Sequence, residues 1–329
     1  MRQPFVVVIT GASAGVGRAL ARELARQGAD LALLARDEEG LQAAKAEAEE
    51  GGVTAVAITC DVADAARVEA AADETERVLG PIDVWVNNAM TTVFGPFETI
   101  TPEEYRRVTD VTYLGYVYGT LSAMRRMQPR NRGVIVQVGS ALAYRSIPLQ
   151  SAYCGAKAAI RGFTDSVRSE LFHAHSKVKL TMVQLPALNT PQFDIGRVHL
   201  DKQPQPVPPI YQPEVAARAI ARAIRRPRRE YWVGLPVLEA LLGQRLFPGL
   251  LDRYLARKAW EGSMVDQPVE ADRPGNLFSP VEGDPGAHGR FEDRSKPHSP
   301  LTWISGKRGW FLGALAAVAG GLLLQRSRA

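Results

Sequence analysis

Residues 5–17 read FVVVITGASAGVG, and the order of those residue types decides the fold. Phe5–Thr10 is a continuous apolar run of β-formers, as expected of a strand buried on both faces. Gly11, Gly15 and Gly17 follow, separated only by Ala12, Ser13, Ala14 and Val16. From Arg18 to Gln27 the spacing turns helical, with Leu20 and Leu24 on one face. Strand, glycine turn and helix in that order make a candidate phosphate cradle. Glycine lets the main chain come close to a pyrophosphate, and a helix N-terminus aims N–H donors and positive potential at it. The spacing is GxxxGxG rather than the more familiar GxGxxG. Taken alone it is also readable as a tight strand-to-helix turn, so the rest of the chain must decide.

The alternation continues outward. LALLA at 31–35, VTAVAIT at 53–59, IDVWVNN at 82–88, GVIVQVG at 133–139 and KLTMVQL at 179–185 read as strands, with another near 230–234. Helical stretches at 37–50, 64–79 and 151–173 lie between them, with a long one ahead of residue 133. Apolar strands alternating with helices imply parallel βαβ units, right-handed crossovers and a sheet covered on both faces. The expected fold class is α/β: a doubly wound parallel sheet filling residues 1–260 as one domain. Composition changes beyond Trp260. Residues 262–300 hold six prolines and five glycines among many charges, so 261–300 reads as a disordered linker. Residues 301–329 form a tail containing Gly309–Leu324, GWFLGALAAVAGGLLL, sixteen residues without a charge.

The formal charge of +5 over 329 residues is local: Lys307, Arg308, Arg326 and Arg328 supply four of those charges within 301–329. The body is nearly neutral, which argues against a nucleic-acid-binding surface. Two cysteines, Cys60 and Cys154, make neither a disulfide framework nor a metal-ligand spacing, and the five histidines form no metal motif. No secretory signal is visible, because the short run Phe5–Ile9 leads at once into the glycine turn. A reducing, cytoplasmic setting is expected.

Tyr153 and Lys157 are four residues apart, hence one turn apart on a shared helix face. A phenol near pKa ~10 is too weak an acid to trade protons freely at neutral pH, and a nearby ammonium lowers that value. Such a pair can serve as a general acid or base. Ser140, at the end of the strand at 133–139, can hold a carbonyl oxygen while charge develops on it. The second strand ends Leu34-Ala35-Arg36, where a site preferring NAD usually carries an acid for the ribose hydroxyl. A guanidinium there suits a 2′-phosphate instead, so NADP (NADPH) is the expected cofactor. A solvent-facing arginine beside Asp37 is the plainer alternative.

Together these residues resemble the classical short-chain dehydrogenase/reductase family, over about residues 5–235. The resemblance implies a Rossmann-type sheet whose TGASAGVG loop binds the cofactor through Gly11, Ser13, Gly15, Val16 and Gly17. Asp61, in Cys60-Asp61-Val62, stands where the family places an aspartate near adenine. Asn87-Asn88-Ala89 matches the Asn-Asn-Ala-Gly motif, with Met90 replacing the glycine, so Asn88 joins the cofactor set. By the resemblance Tyr153 is the proton donor in carbonyl reduction, Lys157 lowers its pKa and holds the nicotinamide ribose, and Ser140 orients the substrate oxygen.

Two departures from the family pattern stand out. Asp110-Val111-Thr112-Tyr113-Leu114-Gly115 puts Thr112 where the family has an active-site asparagine. Thr112 still supplies the main-chain carbonyl that helps hold a relay water, but its side chain is not expected to support the same helix distortion. Pro186-Ala187-Leu188-Asn189-Thr190 is a shortened form of Pro-Gly-x-x-x-Thr. Thr190 remains positioned for the nicotinamide carboxamide, whereas Ala187 would resist a positive φ.

The expected activity is hydride transfer between NADP and a small-molecule carbonyl or alcohol. The alternative is an NADP-binding regulatory or scaffold protein, which Thr112 and Ala187 would favour. Residues 191–212 fall where the family has a variable substrate lid, and Leu142, Tyr144 and Phe193 are candidates for an apolar pocket, with ordinary packing as the alternative. The arginines at 222, 225, 226, 228 and 229 read as a solvated helix end or, alternatively, an anionic-surface patch. Sixteen helical residues span about 24 Å against a hydrocarbon core of about 30 Å. Flanking cations and Trp303 and Trp310 nevertheless make Gly309–Leu324 a candidate membrane anchor. Packing on a partner or on the body is the other reading. The family often pairs through long helices, so a homo-oligomer is expected by analogy.

Overall fold

In the computed structural model, which describes residues 5–270, 273 and 275–299, one seven-stranded parallel sheet organises the chain. In chain order its first half comprises β1 (Phe5–Thr10), α1 (Gly15–Ala25), β2 (Ala29–Ala35), α2 (Glu38–Glu50), β3 (Ala55–Thr59), α3 (Ala65–Leu79) and β4 (Val84–Asn87). The second half comprises α4 (Pro102–Thr109), a π-helical turn (Asp110–Leu114), α5 (Gly115–Met127), β5 (Val134–Ser140), α6 (Ser151–His173), β6 (Lys179–Leu185), α7 (Pro213–Arg225) and β7 (Glu230–Trp232). The strand order is β3-β2-β1-β4-β5-β6-β7. The order reverses between β1 and β4, which opens a crevice at the strand C-termini, where doubly wound sheets bind ligands.

The inner strands bury both faces because alternate side chains point to opposite layers. Val7 and Ile9 pack with Leu20 and Leu24 of α1 and Ile220 of α7. Val6 and Val8 pack instead with Val68 of α3, Met127 of α5 and Leu171 of α6. Side-chain caps start several helices: Asp37 accepts from Gly40 N at 3.1 Å and Asp64 from Ala66 N at 2.9 Å. Thr101 and Glu104 form a reciprocal capping box on α4.

Beyond β7 two helices not anticipated as such, α8 (Leu235–Leu246) and α9 (Pro248–Gly262), form a hairpin. Arg222 and Arg225 sit in the last turn of α7, as the helix-end reading requires, and Arg229 pairs with Asp165 at 2.7 Å.

The expectation of a disordered linker over 261–300 fails for its described part. Met264–Pro268 pairs antiparallel with Lys202–Pro204, and Ser295–Lys296 pairs parallel with Ile210–Tyr211. Leu277, Ala287 and Phe291 are buried, Phe291 against Phe94 and Phe193. A few well-spaced apolar residues pin this stretch, although its average composition is that of a linker. Among the described residues no helix is long and apolar enough to cross a membrane. The expected tail helix at 309–324 lies outside the described residues.

Candidate active site

The glycine turn closes so tightly that side chains are excluded. Gly11 has φ +66°, and a Cβ on Gly17 would lie 2.0 Å from Gly11 O. Asn88 braces the turn from β4: its Nδ2 donates to Thr10 O at 2.9 Å and to Gly11 O at 3.1 Å. The result is a main-chain shelf free of side chains at the N-terminus of α1, where Gly15 N donates to Gly286 O at 3.0 Å.

Across the crevice, β5 ends at Ser140 and α6 carries the half-buried Tyr153 and the buried Lys157. Tyr153 and Ser140 both line this crevice, and the Ser140 hydroxyl accepts from Leu142 N at 3.1 Å. Lys157, 2% exposed, donates from Nζ to Tyr116 Oη at 3.0 Å and to Val138 O at 2.8 Å. Tyr116 Oη in turn donates to Val138 O at 2.9 Å. The Lys157 ammonium lies 5.6 Å from the centroid of the Tyr153 ring. Burial pushes the Tyr153 hydroxyl well above its ordinary pKa, against a smaller opposing effect of the Ser140 hydroxyl. Burial also pushes Lys157 down to about 7. The expected lowering of the phenol by the ammonium is therefore not the net effect here, because desolvation of both groups outweighs it. Tyr116 was not anticipated. It lies four residues beyond Thr112 on a helical stretch, a spacing that could have flagged it.

The backbone accommodates both departures from the family pattern. Thr112 sits inside the π-helical turn, completely buried. Its Oγ1 donates to Thr91 O at 2.8 Å and accepts from Thr91 N at 3.0 Å. The helix distortion is thus present with threonine, since one hydroxyl satisfies both main-chain groups of Thr91. Ala187 is not among the residues of positive φ, and its carbonyl accepts from Tyr211 N at 3.0 Å. The shortened loop runs without the conformation that would have demanded glycine. Thr190 faces the glycine turn; a Cβ on Gly15 would come within 3.3 Å of it.

At the far end of the crevice Asp61 pairs with Arg107 at 2.6 Å and accepts from Ala63 N at 3.0 Å. Burial alone would raise its carboxyl; Arg107 and the Ala63 amide outweigh that and hold it low. Arg36 is half-buried rather than solvent-facing. It donates to the main-chain carbonyls of Asn276, Leu277 (3.4 Å) and Phe278 (2.9 Å). Neither Arg107 nor this segment was anticipated, because both come from distant sequence.

One cavity of about 650 Å³ joins these parts. It is lined by Gly11, Ser13, Gly15, Val16, Arg36, Asp61, Asn88, Ser140, Tyr153, Lys157 and Thr190. Gly17 and Thr112 are not among its lining residues. Leu142 and Phe193 line it as expected, but Tyr144 does not: its hydroxyl bonds Glu230 and its ring stacks on Arg161. Leu251, Tyr254 and Leu255 of α9 complete an apolar wall. Carbon-lined walls beside a hydroxyl, a phenol and an amine suit an apolar molecule with one reactive oxygen.

The family model described as short chain dehydrogenase matches residues 5–195. An uncharacterized oxidoreductase, YxnA, of Bacillus subtilis (strain 168) is 34% identical over 275 residues, which are 83% of this chain and 77% of that protein. The 3-dehydrosphinganine reductase of Danio rerio is 33% identical over 192 residues, 57% of each chain. Among solved structures, an alcohol dehydrogenase from the archaeon Thermococcus sibiricus, complexed with 5-hydroxy-NADP, superposes with a TM-score of 0.61 at 27% identity. That superposition covers 70% of this chain and 94% of the archaeal one. This chain belongs to the short-chain dehydrogenase/reductase family and is an oxidoreductase of that type, built on a fold that binds a nicotinamide cofactor.

Proposed function

We propose that the protein is an NADP-dependent oxidoreductase that interconverts a carbonyl and an alcohol, with Tyr153 as the proton donor to the carbonyl oxygen. The observation that carries this reading is the single cavity onto which the glycine turn, Ser140, Tyr153 and Lys157 all open. The residues fit a dinucleotide. The shelf kept free of side chains by Gly11 and Gly17 suits a pyrophosphate, and Arg36, Asp61 and Thr190 suit the 2′-phosphate, the adenine and the carboxamide. The bound nicotinamide would supply the hydride in reduction or accept it in oxidation.

The chain's own residues govern the proton. Tyr153 carries its proton at neutral pH, and because burial makes the phenol a weaker acid, the charge growing on the substrate oxygen and the Lys157 ammonium must draw that proton off. The Ser140 hydroxyl donates to the substrate oxygen as negative charge grows there. Lys157, in its ammonium form, stabilises the phenolate that Tyr153 leaves behind. Thr112 contributes its main-chain carbonyl to a water that returns the proton.

The apolar wall favours a lipophilic carbonyl compound, in keeping with the 3-dehydrosphinganine reductase among the relatives. The NADP complex of the archaeal neighbour supports the cofactor choice. For such a substrate we keep residues 309–324 as a tail anchor. A panel of carbonyl compounds with NADPH, run on wild type and Tyr153→Phe, tests the assignment. The variant should lose about 10²–10⁴-fold in rate. Undiminished turnover by Tyr153→Phe would refute Tyr153 as the donor.

A further inference from the structure

The far end of the cofactor crevice is gripped by the protein itself. The carbonyls of Asn276, Leu277 and Phe278 converge on the Arg36 guanidinium. Carbonyls are neutral acceptors, and hydrogen bonds from a cation to an anionic oxygen are about twice as strong as neutral ones. The nearby carboxylate, Asp61, is engaged by Arg107, which also donates to Leu277 O at 3.0 Å. Burial, with Arg107 as a like-charged neighbour, lowers the pKa of Arg36, so the cation is under-compensated where it stands.

The segment holding Arg36 is anchored on both sides. Leu277, 1% exposed, inserts among Val93, Ile100, Val108 and Ala152. Asn276 N donates to Ile195 O at 2.8 Å. Further on, Asp284 pairs with Arg18 of α1, and Gly286 O accepts from Gly15 N at 3.0 Å.

We propose that residues 276–278 form a latch whose carbonyls stand in for the 2′-phosphate on Arg36, so that NADP, but not NAD, must displace them to bind fully. The inference rests on the reading that Arg36 receives the 2′-phosphate. A phosphate dianion brings charged, bidentate acceptors, and so outcompetes three carbonyls for the same fork of donors. The latch therefore costs NADP affinity in proportion to the fraction of molecules in which it is shut. It also couples the cofactor's identity to the position of the C-terminal segment.

Hydrogen exchange of the full chain, read on peptides covering 275–282, tests this directly. Saturating NADP⁺ should speed exchange there several-fold, while saturating NAD⁺ should leave it unchanged. In direct titrations Leu277→Ala, which loosens the plug, should tighten NADP⁺ by about 3–10-fold and NAD⁺ by less than about 2-fold. Asp284→Asn loosens the segment from its other side and should act in the same direction, which covers a Leu277 variant that fails to fold. Exchange that slows or stays constant with NADP⁺ would overturn the latch. So would unchanged NADP⁺ affinity in the folded variants. Arg36→Ala separates the two levels. If it weakens NADP⁺ and NAD⁺ alike, the 2′-phosphate reading fails and the latch with it. If it weakens NADP⁺ selectively while 275–282 stays still, only the latch fails.

Discussion

Lys157 is bonded to a phenolic oxygen and a main-chain carbonyl, neither of which carries a charge. Burial therefore dominates its titration and brings it to about 7. The ammonium proposed to steady the Tyr153 phenolate exists below that value and disappears above it. Reductive kcat/KM should accordingly fall as pH rises through about 7, and the fall should be absent in Lys157→Met. A wild-type profile that is level across that pH counts against the role given to Lys157. Stability has the opposite slope. The unfolded lysine keeps its proton to its ordinary value of 10.5, whereas the folded one loses it near 7. Between those limits the unfolded state binds more protons, so stability rises with pH, by up to about 1.4 kcal/mol per unit. Denaturant midpoints of the ligand-free protein, compared with Lys157→Met, should show that slope in wild type alone. Tyr116→Phe removes an acceptor from Lys157 and should shift the kinetic limb to lower pH. It should also cost about 1–3 kcal/mol, because a buried donor loses its partner.

Two short elements carry the site between the helices and the sheet. The π-helical turn Asp110–Leu114 depends on one hydroxyl, that of Thr112, which serves both the N–H and the C=O of Thr91. Thr112→Val keeps the volume and strands both groups, so it should destabilise by about 1–3 kcal/mol, with Thr112→Ser largely restoring stability. Equal urea midpoints for Thr112→Val and wild type would show that the turn holds without this pair. The glycine turn is stricter. A methyl at Gly17 meets the main chain of Gly11, which cannot move without dragging Thr10 and Asn88. Gly17→Ala should abolish dinucleotide binding in a direct titration while its far-ultraviolet circular dichroism stays native-like. Normal binding by Gly17→Ala would mean that the shelf is not where the pyrophosphate rests.

Across the whole molecule, the sheet is flanked by two helical layers and overlaid at its C-terminal edge by α8, α9 and the described part of 261–299. Exposed Leu246, Phe247, Leu250 and Tyr254 lie on that hairpin, on the chain segment that also walls the cavity. With a tail anchor at 309–324, the full chain should pellet with membranes and require detergent, while a chain ending at residue 300 should stay in the soluble fraction. Both forms remaining soluble without detergent would end the anchor idea.

The sheet was legible because its information is local. FVVVIT, LALLA and KLTMVQL are buried on both faces, and any contiguous apolar run of that length bounded by glycines or helical spacing announces a buried strand. The candidate site was legible as far as its residues share a turn or a helix face, as Gly11 with Gly17 and Tyr153 with Lys157 do. Three things were not. Tyr116 meets Lys157 across 41 residues, and only the packing of α5 on α6 shows that the ammonium bonds a second phenol. The outcome at Thr112 turned on Thr91, which no spacing connects to it. Arg36 reads from sequence as a guanidinium for a 2′-phosphate or, alternatively, a solvent-facing one beside Asp37, yet its acceptors lie some 240 residues on, in a stretch whose proline-rich composition resembles a linker. Periodicity and turn chemistry are properties of neighbours along the chain, so sequence alone determined the strands, the glycine shelf and the shared helix of Tyr153 and Lys157. Which charges are desolvated, and what answers them, depends on groups brought together by folding, and that only the tertiary structure decided.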